Sequence, residues 1–210
     1  MHLVRLGLAA VLRYVPGTVP AADLAGRFAA RGGHVELRRA GSRNPGALNA
    51  ARVLGRSDGR AVADVAKGFT GCALGNVVAG NAGAHVGGVA AVVGPCYSPR
   101  SGLQGGKGVA TSFGQCLYTF PAAAPVDIAL AMGIAQIPGF RRPALVSTAA
   151  TSSVWLLLSV VWWCRRLPNS WGPQPTGALP LANAATVAVV ASRFARAVRL
   201  GHPDDLEPAP

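Results

Sequence analysis

The stretch ALVSTAATSSVWLLLSVVWWC, Ala144 to Cys164, decides the class of fold. It carries no formal charge. About 20 such residues, wound as a helix, match the ~30 Å of a bilayer's hydrocarbon. The run closes on Trp162-Trp163, aromatic rings of the kind that settle at a membrane–water interface, and Arg165-Arg166 follow at once. Outward from it, six further apolar runs predict helices: Leu3–Ala29 (broken at Pro16-Gly17), Ala61–Gly80, Ala82–Cys96, Val109–Ala124, Val126–Ile137 and Ala178–Ala191. At about 1.5 Å per residue several are too short to cross alone and need tilt, partners or partial insertion. The expected fold is all-α, a polytopic membrane helix bundle of about seven spans including short or partial ones. It forms one domain over 1–201, and the polar, acidic tail 202–210 is expected to be disordered.

The composition of the 210 residues points the same way. Hydrophobic residues make up 50 % and charged residues 13 %, against about 25 % charged in a soluble domain. Mean hydropathy is +0.34. Such values exclude a disordered chain and leave too few charges to coat a soluble globule. The 27 glycines have no period of three, which excludes collagen. The net charge of +12 leaves two classes, a membrane protein with basic loops or a nucleic-acid binder. Arg27, Arg31, Arg38, Arg39, Arg43, Arg52, Arg56 and Arg60 crowd one stretch, and a nearly uncharged region follows. Aromatics are only 6 %, with Trp155, Trp162 and Trp163 inside or ending an apolar run. That pattern indicates a bilayer and no nucleic-acid partner.

With seven spans and the N-terminus outside, most basic residues fall inside: residues 27–60, Arg100 and Lys107, Arg141-Arg142, and Arg193, Arg196 and Arg199. Only Arg165-Arg166 oppose the positive-inside rule, which therefore favours N-out, C-in. Arg5 and Arg13 interrupt the first apolar run, so a retained span is expected there rather than a cleaved signal. Cys72, Cys96, Cys116 and Cys164 show no metal or disulfide spacing and read as small buried hydrophobes.

Three glycine-bearing segments fall on the inferred inner side. The first is Gly41-Ser42-Arg43-Asn44-Pro45-Gly46-Ala47-Leu48-Asn49, followed by Arg52. Gly and Pro bend the backbone and bare its N–H groups, Ser and Asn add neutral donors, and Arg52 offers a fork that fits phosphate oxygens. An ordinary Gly/Pro turn with solvated arginines also accounts for it. The second is Gly102-Leu103-Gln104-Gly105-Gly106-Lys107-Gly108-Val109-Ala110-Thr111-Ser112. It is no Walker loop, because Gly108 follows the lysine where Ser or Thr is needed. A glycine turn opening a helix beside a lysine nevertheless suits an anion; a surface loop with a snorkelling lysine is the alternative. The third is Asp64-Val65-Ala66-Lys67-Gly68, whose acid and base share a helix face at i, i+3. They form either a structural ion pair or a support for the two loops.

In this order and spacing the segments resemble the PlsY family, bacterial acyl-phosphate:glycerol-3-phosphate acyltransferases of the plasma membrane. The family's Tyr-x-x-Gly-Ser-x-Pro is similar to Tyr14–Pro20, and its acidic-Ile-Arg to Glu36-Leu37-Arg38. Its Gly-Ser-Gly-Asn-Pro-Gly-Ala-Thr-Asn resembles Gly41–Asn49 with Arg52 in the Arg position, and Asp-x-x-Lys-Gly resembles Asp64–Gly68. Gly-Gly-Lys-Gly-Val-Ala-Thr-Ser matches Gly105–Ser112 without a gap, and Arg-x-Ser-Ser-Leu is similar to Arg141–Leu145. Departures are Leu48 for Thr, Pro95 and Ser98 for the His and Pro before the lysine loop, both serines after Arg141, and a tail in which the family's His and Asn have no counterpart.

The resemblance implies transfer of a fatty acyl group from acyl phosphate to the 1-hydroxyl of glycerol 3-phosphate, giving lysophosphatidate in phospholipid synthesis. It implies catalytic roles for Lys107, Arg52 and Ser42, the last holding phosphate rather than acting as a nucleophile. Substrate phosphate falls to Gly41, Asn44, Gly46, Asn49, Gly105, Gly106, Gly108, Thr111 and Arg141, with support from Arg38, Asp64 and Lys67. No cofactor and no metal is implied, and the active face is cytoplasmic in a bacterial plasma membrane. The departures motivate an alternative, a catalytically impaired relative that binds lipid phosphates. A transporter is disfavoured by the scarcity of intramembrane charge and the lack of a repeat.

Overall fold

The computed structural model describes residues 4–7, 10–11, 60–99 and 102–206. Glycine shapes its longest helix. Helix α1 (Arg60–Cys96) has 37 residues, which would reach about 56 Å if straight, nearly twice the hydrocarbon thickness. It instead turns back at Ala79 and Gly80, whose dihedrals are not helical (Gly80 φ +63°). The two arms then lie against each other through glycines. A Cβ added to Gly75 would sit 2.1 Å from the Gly83 carbonyl oxygen, and one added to Gly87 would sit 2.4 Å from that of Gly71. Small residues let the two backbones touch, as membrane helices require where hydrophobicity cannot drive association.

Helix α2 (Val109–Thr119) follows, then a 3₁₀ turn (Pro121–Ala123) and helix α3 (Ala124–Ala135). The chain direction changes by 116° between α2 and α3. Pro121 and Pro125 supply no N–H to continue a helix, so the break falls where they stand. At about 17 and 18 Å, neither α2 nor α3 covers the hydrocarbon alone. Helix α4 (Pro143–Arg165) opens on proline and closes on Arg166 in the left-handed region (φ +50°), and α5 (Ala178–Arg199) is the last. Helix α2 packs on the first arm of α1, again by glycine. A Cβ on Gly68 would meet the Thr111 oxygen at 2.0 Å, and one on Gly114 the Val65 oxygen at 1.9 Å. Helix α5 packs against α1 and α4, and α3 against α4.

Two apolar clusters mark the ends of this bundle. One joins Cys116, Phe120, Ala123, Ala124, Trp155 and Leu179. At that end Asn169 Nδ2 donates to the Thr119 carbonyl (3.0 Å), Trp171 Nε1 donates to that of Leu117 (3.0 Å), and Trp162 packs edge-on against Phe120. The other cluster joins Val92, Cys96, Ala144, Val190 and Phe194. The residues around it include Lys107, Arg142 and Arg193, so this end is basic, whereas Arg165 and Arg166 lie at the far end.

The helical character holds. Three described helices are long and apolar enough to cross a membrane, or up to four if α2 and α3 are one broken span. The expected run Leu3–Ala29 lies almost wholly outside the described residues. The runs expected over 61–80 and 82–96 are the two arms of α1. The runs expected over 109–124 and 126–137 stop and start at the prolines instead. Helix α5 continues eight residues past Ala191, because Arg193 points into protein rather than water and forms bonds there. Cys72, Cys96 and Cys116 are buried, and Cys164 is exposed.

The tail needs a correction. Residues 202–206 fold back onto the basic end rather than forming part of a disordered segment. Asp204 caps α4, accepting from the amides of Ala144 (2.9 Å) and Leu145 (3.2 Å), two of the donors that a helix start leaves unpaired. We expect Gly83→Val to lower the thermal unfolding midpoint in detergent by several degrees, since overpacking typically costs about 1–3 kcal/mol. Gly133→Ala, where a Cβ meets nothing within 4 Å, should leave the midpoint unchanged or slightly raised.

Candidate active site

The lysine loop, residues 102–108, runs between the end of α1 and the start of α2. Its peptide groups are bonded on both sides. The amides of Leu103, Gly105 and Gly106 donate to the carbonyls of Ser98 (3.0 Å), Cys96 (3.2 Å) and Pro95 (3.1 Å). Those of Pro95 and Cys96 belong to a helix C-terminus, whose last carbonyls have no partner within the helix. On the opposite side the Arg193 guanidinium donates to the carbonyls of Leu103 (3.1 Å), Gly106 (3.2 Å) and Gly105.

Close approach demands the glycines. A Cβ on Gly105 would lie 1.8 Å from the Pro95 oxygen. Gly108 has φ +80° and would press a Cβ to 2.6 Å from Cys96 Sγ, so both conformation and space exclude a side chain there. Gly108 is also the N-cap of α2, with no side chain capping the helix. The first amides of α2 therefore open at the loop with the positive end of the helix dipole behind them.

Lys107 is the charge in this frame. It is only 8 % exposed. Its Nζ donates to Asp205 Oδ2 at 2.9 Å and lies 4.6 Å from the centroid of the Phe194 ring. One bond to a carboxylate uses one of the three ammonium donors. Asp205 is buried as well, so two charges share one dry corner, and each makes the burial of the other tolerable.

The residues expected from sequence divide as follows. Lys107, Gly105, Gly106 and Gly108 form the loop just described. The Gly105 and Gly106 amides, expected to cradle phosphate, are committed to α1 carbonyls. Thr111 is buried at the contact with Gly68 rather than open to a ligand. Arg141 is exposed, just ahead of the α4 start that Asp204 caps. Asp204 and Asp205 are neighbours, so the Arg141 loop and Lys107 share one end of the bundle. Asp64 and Lys67 form the expected i, i+3 pair at 3.0 Å, both partly exposed. Such a pair contributes about 0.2–0.5 kcal/mol to its helix. Arg38, Gly41, Ser42, Asn44, Gly46, Asn49 and Arg52 lie outside the described residues.

Sequence reasoning missed Arg193, Phe194 and Asp205. The available signal was the adjacent acids Asp204-Asp205, in a chain with only 8 Asp and Glu, beginning five residues beyond Arg199 at a basic helix end.

A polytopic helical bundle with a buried ammonium on a glycine loop at its basic end defines the class, a helical membrane protein with a fixed cation at one end of the bundle. The sequence model of the family described as glycerol-3-phosphate acyltransferase matches residues 7–201. A glycerol-3-phosphate acyltransferase of Thermoanaerobacter pseudethanolicus is 32 % identical over 158 residues, covering 74 % of this chain and 77 % of that one. The glycerol-3-phosphate acyltransferase 1 of Deinococcus radiodurans is 38 % identical over 136 residues, covering 63 % and 67 %. The fold is similar to a crystal structure of PlsY, an integral membrane glycerol 3-phosphate acyltransferase, in its glycerol 3-phosphate form. That likeness has a TM-score of 0.74 and 24 % identity, covering 92 % of this chain and 90 % of that one. The chain belongs to the glycerol-3-phosphate acyltransferase family.

Gly108 and Gly102 both have positive φ, but a Cβ on Gly102 meets nothing within 4 Å. We therefore expect Gly108→Ala to lower the unfolding midpoint clearly more than Gly102→Ala. The shared left-handed strain is about 1–2 kcal/mol, and the difference measures the contact with Cys96.

Proposed function

We propose that this protein transfers a fatty acyl group from acyl phosphate to the 1-hydroxyl of glycerol 3-phosphate, producing lysophosphatidate and inorganic phosphate. The hydroxyl oxygen attacks the acyl carbon, the bond from that carbon to the bridging phosphate oxygen breaks, and phosphate leaves with the electron pair. The hydroxyl proton passes to a phosphate oxygen, so no protein nucleophile is needed. The observation that carries the reading is the buried Lys107 ammonium, held at the opening of α2 on a loop that only glycine permits. Both substrates are phosphates, and a fixed cation with helix amides stabilises the charge on the departing one. Membership of the family supports the enzyme over an impaired lipid-phosphate binder.

In this reading Ser42, Asn44, Asn49, Arg52 and the Gly41 and Gly46 turn complete the phosphate site, with Arg38 in support. Gly105 and Gly106 serve it by shape, through the close contacts they allow. Arg141 receives the phosphate from solvent, and Asp64 and Lys67 steady the α1 start. The acyl chain lies among the helices, where each buried CH₂ contributes about 0.8 kcal/mol. We place the basic end in the cytoplasm of a bacterial plasma membrane, N-out and C-in, with about seven crossings in one domain. The charge asymmetry between the two ends supports that orientation.

The test uses vesicles containing the purified protein, palmitoyl phosphate and labelled glycerol 3-phosphate. Lysophosphatidate and phosphate should appear in equal amounts. Lys107→Ala should lower kcat/KM by about 100- to 1,000-fold, the usual loss when one preorganised charge-stabilising donor is removed. Near-normal turnover in that variant would remove Lys107 from the mechanism.

A further inference from the structure

We propose that Arg193 is a positioning residue for acyl transfer: its guanidinium, fastened to three carbonyls of the lysine loop, sets where the Lys107 ammonium meets a phosphate. The inference rests on the acyltransferase reading above. Arg193 is buried on α5, far from Lys107 in sequence, and bonds the carbonyls of Leu103, Gly105 and Gly106. Its guanidinium lies 5.4 Å from the centroid of the Tyr97 ring, and the Tyr97 hydroxyl bonds Ser192 next door. Phe194, the next residue on α5, lies under the Lys107 ammonium. One helical turn thus grips the loop backbone and the lysine side chain together.

Two physical effects follow from that grip. The loop amides already hold the end of α1, so the carbonyls are the remaining backbone groups by which the loop can be fixed. A planar fork can bridge several of them in one geometry, whereas an ammonium on a flexible stem cannot. The second effect is electrostatic. Three carbonyl dipoles converge on one point beside Lys107, and their negative ends would repel a phosphate arriving there. The guanidinium cancels that potential in a site with little water to screen it.

Wild type, Arg193→Lys and Arg193→Gln are compared in vesicles with palmitoyl phosphate and glycerol 3-phosphate. We expect both variants to raise KM for glycerol 3-phosphate about tenfold and to lower kcat/KM about 100-fold, as a displaced catalytic group does. Loss of folded protein alone would lower the apparent kcat at unchanged KM, so the shift in KM separates positioning from folding. Wild-type kinetics in Arg193→Lys would show that charge suffices and would overturn the inference. If neither Arg193 variant folds, Tyr97→Leu decides. It removes the ring beneath the guanidinium and should raise KM about threefold, the scale of one cation–π contact; an unchanged KM overturns the inference. An inactive wild type would overturn the acyltransferase reading and this inference with it, whereas an active wild type matched by Arg193→Lys overturns this inference alone.

Discussion

A buried ammonium is expensive to keep charged, and the basic end of this protein is organised around that constraint. Lys107 needs a counter-charge, and Asp205 supplies it from the returning tail. The lysine also needs a backbone that cannot drift, and the loop obtains one by giving its amides to α1 and its carbonyls to Arg193. Each arrangement depends on the others. Without the turn at the end of α5, Asp205 would not reach Lys107. Without Asp204 on the start of α4, the tail would lack its second anchor.

Glycine makes the constraint geometrically possible. The arms of α1, the contact of α1 with α2, and the contact of the loop with the end of α1 all bring backbone within reach of backbone. In hydrocarbon no hydrophobic force draws helices together, so van der Waals contact at short range carries more of the association. The same property serves two purposes here. Along the bundle it replaces bulky packing, and at the loop it lets the amides of Gly105 and Gly106 reach the unpaired carbonyls of Pro95 and Cys96. Pro95 takes part through its backbone oxygen, which accepts from the Gly106 amide.

Much of the fold is legible from hydropathy, because long uncharged runs have few alternatives to a helix in a bilayer. The limits of that signal are visible in particular residues. It ends the last helix near Ala191, because it treats Arg193 as a surface charge, while the guanidinium has three carbonyl partners inside the protein. It assigns Asp204 and Asp205 to a solvated tail for the same reason. Hydropathy scores a residue without its partner, and these charges are buried only as members of pairs and caps. The lysine loop is legible by residue type, but the use of its amides is not. A glycine pair beside a lysine fits a phosphate cradle and a backbone clasp equally, and only the positions of the α1 carbonyls distinguish them.

The Asp205 carboxylate bears on how a site can be positive and stable at once. A buried ammonium with no partner would tend to pull its loop open toward water. A carboxylate at 2.9 Å gives the ammonium a counter-charge within the protein. It leaves the remaining ammonium donors for oxygens of another anion, and a phosphate carries more charge than the carboxylate it meets. The penalty of that added negative charge falls on a corner where Arg193 and the start of α2 contribute positive potential from two further directions. In the proposed reaction, helix dipole, guanidinium and ammonium act together against the Asp205 carboxylate, while that of Asp204 is spent on the α4 amides, so a phosphate is held without surrendering the pair that keeps the lysine in place.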